Sequence, residues 1–201
     1  MKGAFIGDIV GSRFEWTGFR EKEFDLFAEG CRVTDDSLMT AAVAEAFLTM
    51  RETDLPETES VLGPLLCERM RRLGRTYPDA GYGQKFKAWL MDETMGPYGS
   101  CGNGAAMRVS PAGWFAYTLA EAEELALISC RVSHNEKSAE KAAQAVAGAI
   151  FLARSGARKD VIRTYLGRFY DLSEPFAEEY FTEEMKTVLQ RFDALCEKEK
   201  D

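Results

Sequence analysis

The chain has 201 residues, of which 46% are hydrophobic and 11% aromatic, enough for one folded domain with a sizeable core. Its formal net charge of −8 argues against the basic groove that nucleic-acid binding requires, and the five cysteines show no CxxC pair that would indicate zinc. The first apolar run is interrupted by Asp8, too early for a signal or membrane-spanning segment, so we expect a cytoplasmic protein with reduced thiols and no membrane contact.

Glycines recur at every fourth position of the first segment, at Gly3, Gly7 and Gly11. On a helix they form one flat stripe that permits a close crossing with another helix. The spacing is not GxGxxG and no strand precedes it, so we reject a dinucleotide-binding fold. A close crossing explains neither Asp8, a carboxylate that needs a partner in a core helix, nor Glu15 in the loop-like segment that follows.

The next segment reads Thr-Asp-Asp-Ser and precedes a stretch rich in Ala, Leu and Met without Gly or Pro. This composition predicts a well-formed buried helix over residues 36–50. Thr34 or Asp35 can cap the helix, whose positive end favours ionised carboxylates. Asp35 and Asp36 also offer the hard oxygen donors that Mg²⁺ and Mn²⁺ prefer. Capping alone and metal binding are both open interpretations of this segment.

Apolar residues recur at helical spacing along the chain, and the alternation typical of strands is nearly absent. We therefore expect an all-α fold, a compact single-domain helical bundle. Three apolar stripes support it: Leu62, Leu65, Leu66, Met70 and Leu73; Ala139, Ala142, Ala143, Val146 and Ile150; Met185, Val188, Leu189, Phe192 and Cys196. The arginines of residues 69–75 are interpreted as a solvated helix face.

Glycines flank Asn103 in the segment from Ser100 to Arg108. Gly102 and Gly104 let backbone N–H groups point into one concavity, and the small residues after them can begin a helix. This arrangement binds phosphate oxygens without a cationic side chain. A flexible loop between helices also explains the glycines, but gives no reason for the Ala-Ala-Met-Arg continuation.

His134 is the only histidine and stands just before a helix that Asn135 could cap. A single histidine at a helix start is more often structural than catalytic. Cys101 lies beside the glycine loop, but the sequence identifies no base that would activate it.

In this order the segments resemble the ADP-ribosylglycohydrolase family, in particular its bacterial members. The matching features are Gly3-Ala4 through Gly7-Asp8 to Gly11 and Glu15, Thr34-Asp35-Asp36-Ser37, Tyr82-Gly83 with Trp89, Gly102 to Arg108, Ser110-Pro111, and Ser133-His134-Asn135. Residues 1–172 are interpreted as one ADP-ribosylglycohydrolase-like domain. Residues 173–201 are interpreted as a divergent amphipathic helical tail that packs on this domain or extends it.

The resemblance implies a compact all-α fold that holds two Mg²⁺ or Mn²⁺ ions at the base of an ADP-ribose cleft. It implies that Thr34, Asp35 and Asp36 are metal ligands. Catalysis would rest on Glu15, on a loop over the metals, together with Asp35 and Asp36. The implied reaction is hydrolysis that removes ADP-ribose from a side chain, often arginine, of a modified protein, or from a small ADP-ribose-containing molecule.

The resemblance also implies that Gly102, Asn103, Gly104 and His134 line the ADP-ribose site. Family members carry a further Gly-Gly-Asp-x-Asp-Thr/Ser segment that gives the remaining metal ligands, and this chain has none. Three hypotheses follow. The chain is a metal-dependent hydrolase with one ion or a weakened pair, an ADP-ribose-binding pseudoenzyme, or a half-enzyme completed by a second copy or a separate partner chain.

Overall fold

The computed structural model describes residues 1–171, and within them every regular element is an α-helix. The helices are α1 Lys2–Gly11, α2 Asp35–Glu52, α3 Glu59–Thr76, α4 Gln84–Met91, α5 Gly104–Met107, α6 Ser110–Phe115, α7 Leu119–Arg131, α8 Lys137–Arg154 and α9 Lys159–Leu166. The predicted all-α fold is confirmed. The predicted amphipathic tail over residues 173–201, with its apolar stripe from Met185 to Cys196, and the domain boundary at residues 172–173 lie outside the described residues. In the described part, no helix is both long and apolar enough to cross a membrane.

Helix α2 lies at the centre of the bundle, where it packs against α1, α3, α5 and α6. Six of its apolar side chains are at most 1% exposed: Met39, Ala42, Val43, Ala46, Phe47 and Met50. Burial of a side chain as large as phenylalanine contributes about 1.5–3 kcal/mol. The predicted buried helix over residues 36–50 is therefore confirmed, and its N-terminus is fixed in position by the packing of the rest of the helix.

Helix α8 organises the second half of the bundle and packs against α5, α6, α7 and α9. Its buried face consists largely of small residues, among them Ala139, Ala143 and Ala147. Small side chains allow neighbouring helices to approach closely. The turn between α7 and α8 is consequently held near α5, which brings His134 close to the glycine loop.

Gly113 of α6 contacts α8 without room for a side chain. A Cβ at this position would lie 2.5 Å from the backbone oxygen of Ala147 and 2.8 Å from Cβ of Ile150. We expect Gly113→Ala to lower the free energy of unfolding by about 1–3 kcal/mol, because overpacking forces the two helices apart. Urea denaturation measures the change.

Gly7→Ala is the matched control for this measurement. No described atom lies within 4 Å of a Cβ at Gly7, which stands inside α1. The alanine should therefore raise stability by about 0.5–1 kcal/mol through helix propensity alone. If both variants unfold at the wild-type urea concentration, the close α6–α8 contact is contradicted.

The glycine stripe of α1 does not form the predicted close crossing within residues 1–171. A Cβ at Gly3, Gly7 or Gly11 would meet no described atom within 4 Å. Helix α1 packs against α2 through other residues, and Val10 is buried there. The glycine face of α1 is thus open with respect to the part of the chain that the structure describes.

The arginines of α3 are only partly the solvated face that the sequence predicts. Arg71 donates hydrogen bonds to the backbone oxygens of Trp89, Glu93 and Met95 at 3.2, 3.3 and 3.0 Å, and Arg75 donates to that of Leu90 at 2.8 Å. These bonds fasten the end of α4 and the segment after it to α3. That segment continues into the loop that borders the candidate site.

Candidate functional site

A cavity of about 400 Å³ lies where the N-terminus of α2, the start of α4, the loop before α5 and the turn between α7 and α8 meet. Its lining residues are Asp35, Gly83, Gln84, Lys85, Phe86, Tyr98, Ser100, Gly102, Asn103, Gly104, Met107, Arg108 and His134. The volume is in the range of small-molecule sites. Five residues that the sequence analysis assigned to a site therefore share one cavity, although they come from three separate segments. Glu15, Thr34 and Asp36 do not line it.

Thr34 and Asp8 together cap the N-terminus of α2. The Thr34 hydroxyl accepts a hydrogen bond from the backbone N–H of Asp36 at 3.4 Å and donates one to Oδ1 of Asp8. Oδ2 of Asp8 accepts from the backbone N–H groups of Thr34 at 3.0 Å and Ser37 at 3.3 Å. Asp8 thus satisfies donors that the helix start leaves free. The partner expected for the carboxylate of Asp8 is therefore the N-terminus of α2.

Four carboxylates near this helix end influence one another electrostatically. Burial, followed by the negative charge of Asp36 and smaller contributions from Glu15 and Asp8, raises the pKa of Asp35 to about 6. Burial, followed by the charges of Asp8 and Glu15, also raises the pKa of Asp36. The helix N-terminus favours the ionised forms, but burial and mutual repulsion outweigh it. Asp35 remains mostly ionised at neutral pH.

The donor chemistry of this cluster fits a divalent cation in part. Asp35 and Asp36 lie near other carboxylates whose negative charges raise the pKa of both groups, and such oxygen donors are suited to Mg²⁺ or Mn²⁺. Within residues 1–171, however, no three His, Cys, Asp or Glu side chains converge closely enough to hold a metal ion. The described residues alone therefore do not form a complete coordination shell.

The glycine loop leads directly into the short helix α5, as its sequence predicts. Asn103 is the N-cap residue, and its backbone oxygen accepts from the N–H of Met107 at 2.9 Å. The Thr40 hydroxyl donates to the backbone oxygen of Met107 at 3.4 Å, which connects α5 to α2. A Cβ at Gly104 would lie 3.0 Å from Cε1 and from Nε2 of His134. The loop and the histidine ring are therefore direct neighbours.

His134 is buried in the turn between α7 and α8. Its backbone N–H donates to the oxygen of Cys130 at 2.8 Å, and its ring lies 5.5 Å from that of Tyr98. The N-cap residue of α8 is Glu136 rather than the predicted Asn135. Oδ1 of Asn135 instead accepts from the backbone N–H of Gly99 at 2.8 Å, which connects the turn to the loop before α5.

We expect His134 to remain neutral as the pH falls from 6.5 towards 4. Burial, assisted by the positive charge of Arg108, lowers its pKa from 6.5 to about 4. The other titratable groups near it are Tyr98, Cys130, and Asp35 and Lys85 of the cavity wall. Since it is the only histidine, its imidazole NMR signals give this pKa without assignment.

The pKa of His134 also has a consequence for stability. At a pH between about 4 and 6.5, His134 is neutral in the folded state and protonated in the unfolded state, so unfolding takes up a proton. This histidine therefore lowers the free energy of unfolding as the pH falls through that range. Asp35 acts in the opposite sense, because its folded pKa is raised. A pKa of His134 at or above 6.5 would contradict the buried environment described here.

Arg108 is a residue of this site to which the sequence analysis gave no role. Its side chain is 0% exposed, and Nη2 donates to the backbone oxygen of Ser129 at 2.7 Å and to Oγ of Ser133 at 2.8 Å. Its Nε and Nη1 have no hydrogen-bond partner among the described residues. One sequence signal was available, since Arg108 is the only charged residue between Glu93 and Glu121, and an isolated charge in an otherwise uncharged stretch is a candidate for burial.

A model of the family described as ADP-ribosylglycohydrolase matches residues 1–200. No curated protein matches the chain.

Proposed function

This chain belongs to the ADP-ribosylglycohydrolase family, and we propose that it hydrolyses the bond between ADP-ribose and a modified side chain, of the arginine N-glycosidic type or similar. The observation that carries the proposal is the cavity in which Asp35 of α2, the loop around Asn103 and His134 meet. The partner is an ADP-ribosylated protein or a small ADP-ribose-containing molecule.

The walls of the cavity suit the parts of such a ligand. Phe86, Tyr98 and Met107 give apolar surface for a base or sugar ring. The N–H of Gly102 donates to Oγ of Ser100 at 3.2 Å, so the backbone donors for phosphate oxygens would come from the rest of the glycine loop. The carboxylate of Asp35 accepts hydrogen bonds from ribose hydroxyls. These features support a site that takes the ADP-ribose moiety with the ribose next to the carboxylates.

The carboxylates carry the chemistry in this proposal. Asp35, ionised at neutral pH, accepts a proton or hydrogen bond from a ribose hydroxyl or an attacking water. Glu15 lies outside the cavity but close enough for its charge to raise the pKa of Asp35 and of Asp36. In the reaction, water adds to the anomeric carbon, the C–N bond breaks, and the departing guanidine nitrogen takes up a proton.

We propose further that Asp35 and Asp36, with the adjacent Thr34, would hold Mg²⁺ or Mn²⁺. When bound, such an ion orients the ribose hydroxyls and stabilises negative charge that develops on oxygen. The Thr34 hydroxyl already caps α2, so its contribution would be a remaining lone pair. Further ligands would come from water or from groups beyond these residues.

The proposal is tested by release of ADP-ribose from an ADP-ribosylated arginine peptide, measured with Mg²⁺, with Mn²⁺ and with EDTA. We expect release with either metal and its loss in EDTA. Turnover that persists in EDTA would contradict the metal dependence, and no release under any condition would contradict hydrolysis of this bond.

One observation favours a second candidate function, ADP-ribose binding without turnover. No three metal-binding side chains converge within residues 1–171, whereas the cavity itself is formed. Calorimetric titration with ADP-ribose in EDTA separates the two candidates. Binding without release in the peptide assay would support the pseudoenzyme.

The open glycine face of α1 favours a further variant of the proposal, in which a second copy or a partner chain completes the site. Within the described residues nothing covers Gly3, Gly7 and Gly11. Light scattering at several protein concentrations, in parallel with the activity assay, tests it. Full activity in a strictly monomeric sample would exclude this variant.

A further inference from the structure

A buried chain of hydrogen bonds leads from Arg108 through Ser133 to His134. Nη2 of Arg108 donates to Oγ of Ser133 at 2.8 Å, and the same Oγ lies 2.8 Å from Nδ1 of His134. Arg108 and Ser133 are both 0% exposed. Water therefore does not compete for these bonds, and each hydroxyl or N–H donor in the series must find its acceptor among the three side chains and the neighbouring backbone.

The direction of each bond follows from the donors available. A guanidinium has donors only, so the Ser133 oxygen accepts from Arg108. The second N–H of Nη2 is taken by the backbone oxygen of Ser129 at 2.7 Å. The Ser133 hydroxyl proton then has one acceptor among the described residues, Nδ1 of His134. A buried hydroxyl left without an acceptor costs about 1–3 kcal/mol, which favours this arrangement over its reverse.

We infer that Ser133, oriented by Arg108, is a positioning residue that holds His134 in the neutral form with its proton on Nε2. Nδ1 is then an acceptor, and the opposite edge of the ring presents an N–H donor. Nε2 has no hydrogen-bond partner within residues 1–171 and lies 3.0 Å from where a Cβ at Gly104 would stand. The donor therefore borders the cavity beside the glycine loop.

This arrangement assigns a chemical role to the histidine. An Nε2–H recognises an acceptor oxygen and cannot serve as a general base at that atom. This identification of the ligand rests on the proposed function: the acceptor is a phosphoryl or ribose oxygen of bound ADP-ribose. The buried charge of Arg108 adds to the attraction for an anionic ligand, because no carboxylate pairs with it among the described residues.

The tautomer is measured directly by ¹⁵N NMR of the imidazole in the wild-type chain, where one histidine gives one pair of signals. We expect a pyrrole-like Nε2 and a pyridine-like Nδ1 at neutral pH, without any ligand. A protonated Nδ1 in the wild-type protein would overturn the inference. This measurement needs no variant to fold and no ADP-ribose to bind.

Ser133→Ala tests the positioning role, and Ser129→Ala is its matched control. Ser129 is equally buried one helical turn earlier, but its Oγ has no hydrogen-bond partner, and its backbone oxygen still accepts from Arg108 in the variant. We expect Ser133→Ala to give a mixture of tautomers and to weaken ADP-ribose binding about fivefold, while Ser129→Ala leaves both unchanged. Unchanged ¹⁵N signals in Ser133→Ala would overturn the positioning role.

The two proposals fail in different ways. If the wild-type tautomer is as expected but ADP-ribose does not bind, the proposed function is contradicted and the hydrogen-bond chain is still supported by its own signal. If ADP-ribose binds but Nδ1 of His134 carries the proton, the positioning role of Ser133 is contradicted and the proposed function is still supported.

Discussion

Replacing Asp35 by asparagine is expected to reduce ADP-ribose release at least about a hundredfold. Among the carboxylates assigned to catalysis, Asp35 is the one that lines the cavity. Asparagine keeps the shape of the side chain but removes the charge that would accept a proton or bind a cation. The rate is measured with the ADP-ribosylated arginine peptide at saturating Mg²⁺.

The same variant should be slightly more stable than the wild type. Burial and neighbouring carboxylates raise the pKa of Asp35 to about 6, so its ionised form disfavours the folded state at neutral pH. After discounting for partial exposure, the gain is about 1 kcal/mol, seen as a higher Tm. Lower activity together with higher stability is typical of a residue kept for function.

Asp79→Asn is the matched control, because Asp79 is exposed and lies outside the cavity. It should change neither the rate nor the Tm. Equal activity of Asp35→Asn and the wild type would remove Asp35 from the catalytic machinery. Equal loss in both variants would indicate a general effect of charge instead.

Gly104→Ala is expected to weaken ADP-ribose binding by about tenfold to a hundredfold. The added methyl group would lie 3.0 Å from Cε1 and Nε2 of His134, closer than an ordinary contact. The ring has little freedom to move away, since Nδ1 lies 2.8 Å from Ser133 Oγ and Tyr98 packs beside it. The methyl group therefore occupies the space beside Nε2 that the ligand would use. Calorimetric titration with ADP-ribose measures the loss.

Gly96→Ala is the control for this substitution. Gly96 lies in the loop before α5 but outside the cavity lining, and a Cβ there meets no described atom within 4 Å. Its affinity should equal that of the wild type. If Gly104→Ala also binds normally, the contact between the glycine loop and His134 is not part of the binding site.

The features that could be predicted from the sequence are those fixed by local chemistry. The composition of residues 36–50 predicts a buried helix, and Thr34 is a favourable cap directly before it. The glycines around Asn103 predict a loop that leads into a helix, which is α5. That these segments and His134 would share one site was implied by the family resemblance, not by their spacing.

The features that escaped prediction depend on contacts between distant residues. Asp8 caps a helix whose N-cap residue, Thr34, lies 26 residues later, a pairing that no local pattern encodes. Arg71 looks like a surface charge at helical spacing, yet it donates to three backbone oxygens at the end of α4 and in the segment after it. Gly3, Gly7 and Gly11 predict a close crossing, but a small-residue stripe does not specify which partner covers it.

The cavity draws on segments that are far apart in the chain, and this has a kinetic consequence. Asp35, Asn103 and His134 can meet only after the intervening helices have packed, so the entropy of closing long loops delays the site until late in folding. During synthesis, the segment that holds α2 has no binding site until the turn before α8 has left the ribosome. A bound ligand should therefore slow unfolding while it leaves the folding rate nearly unchanged.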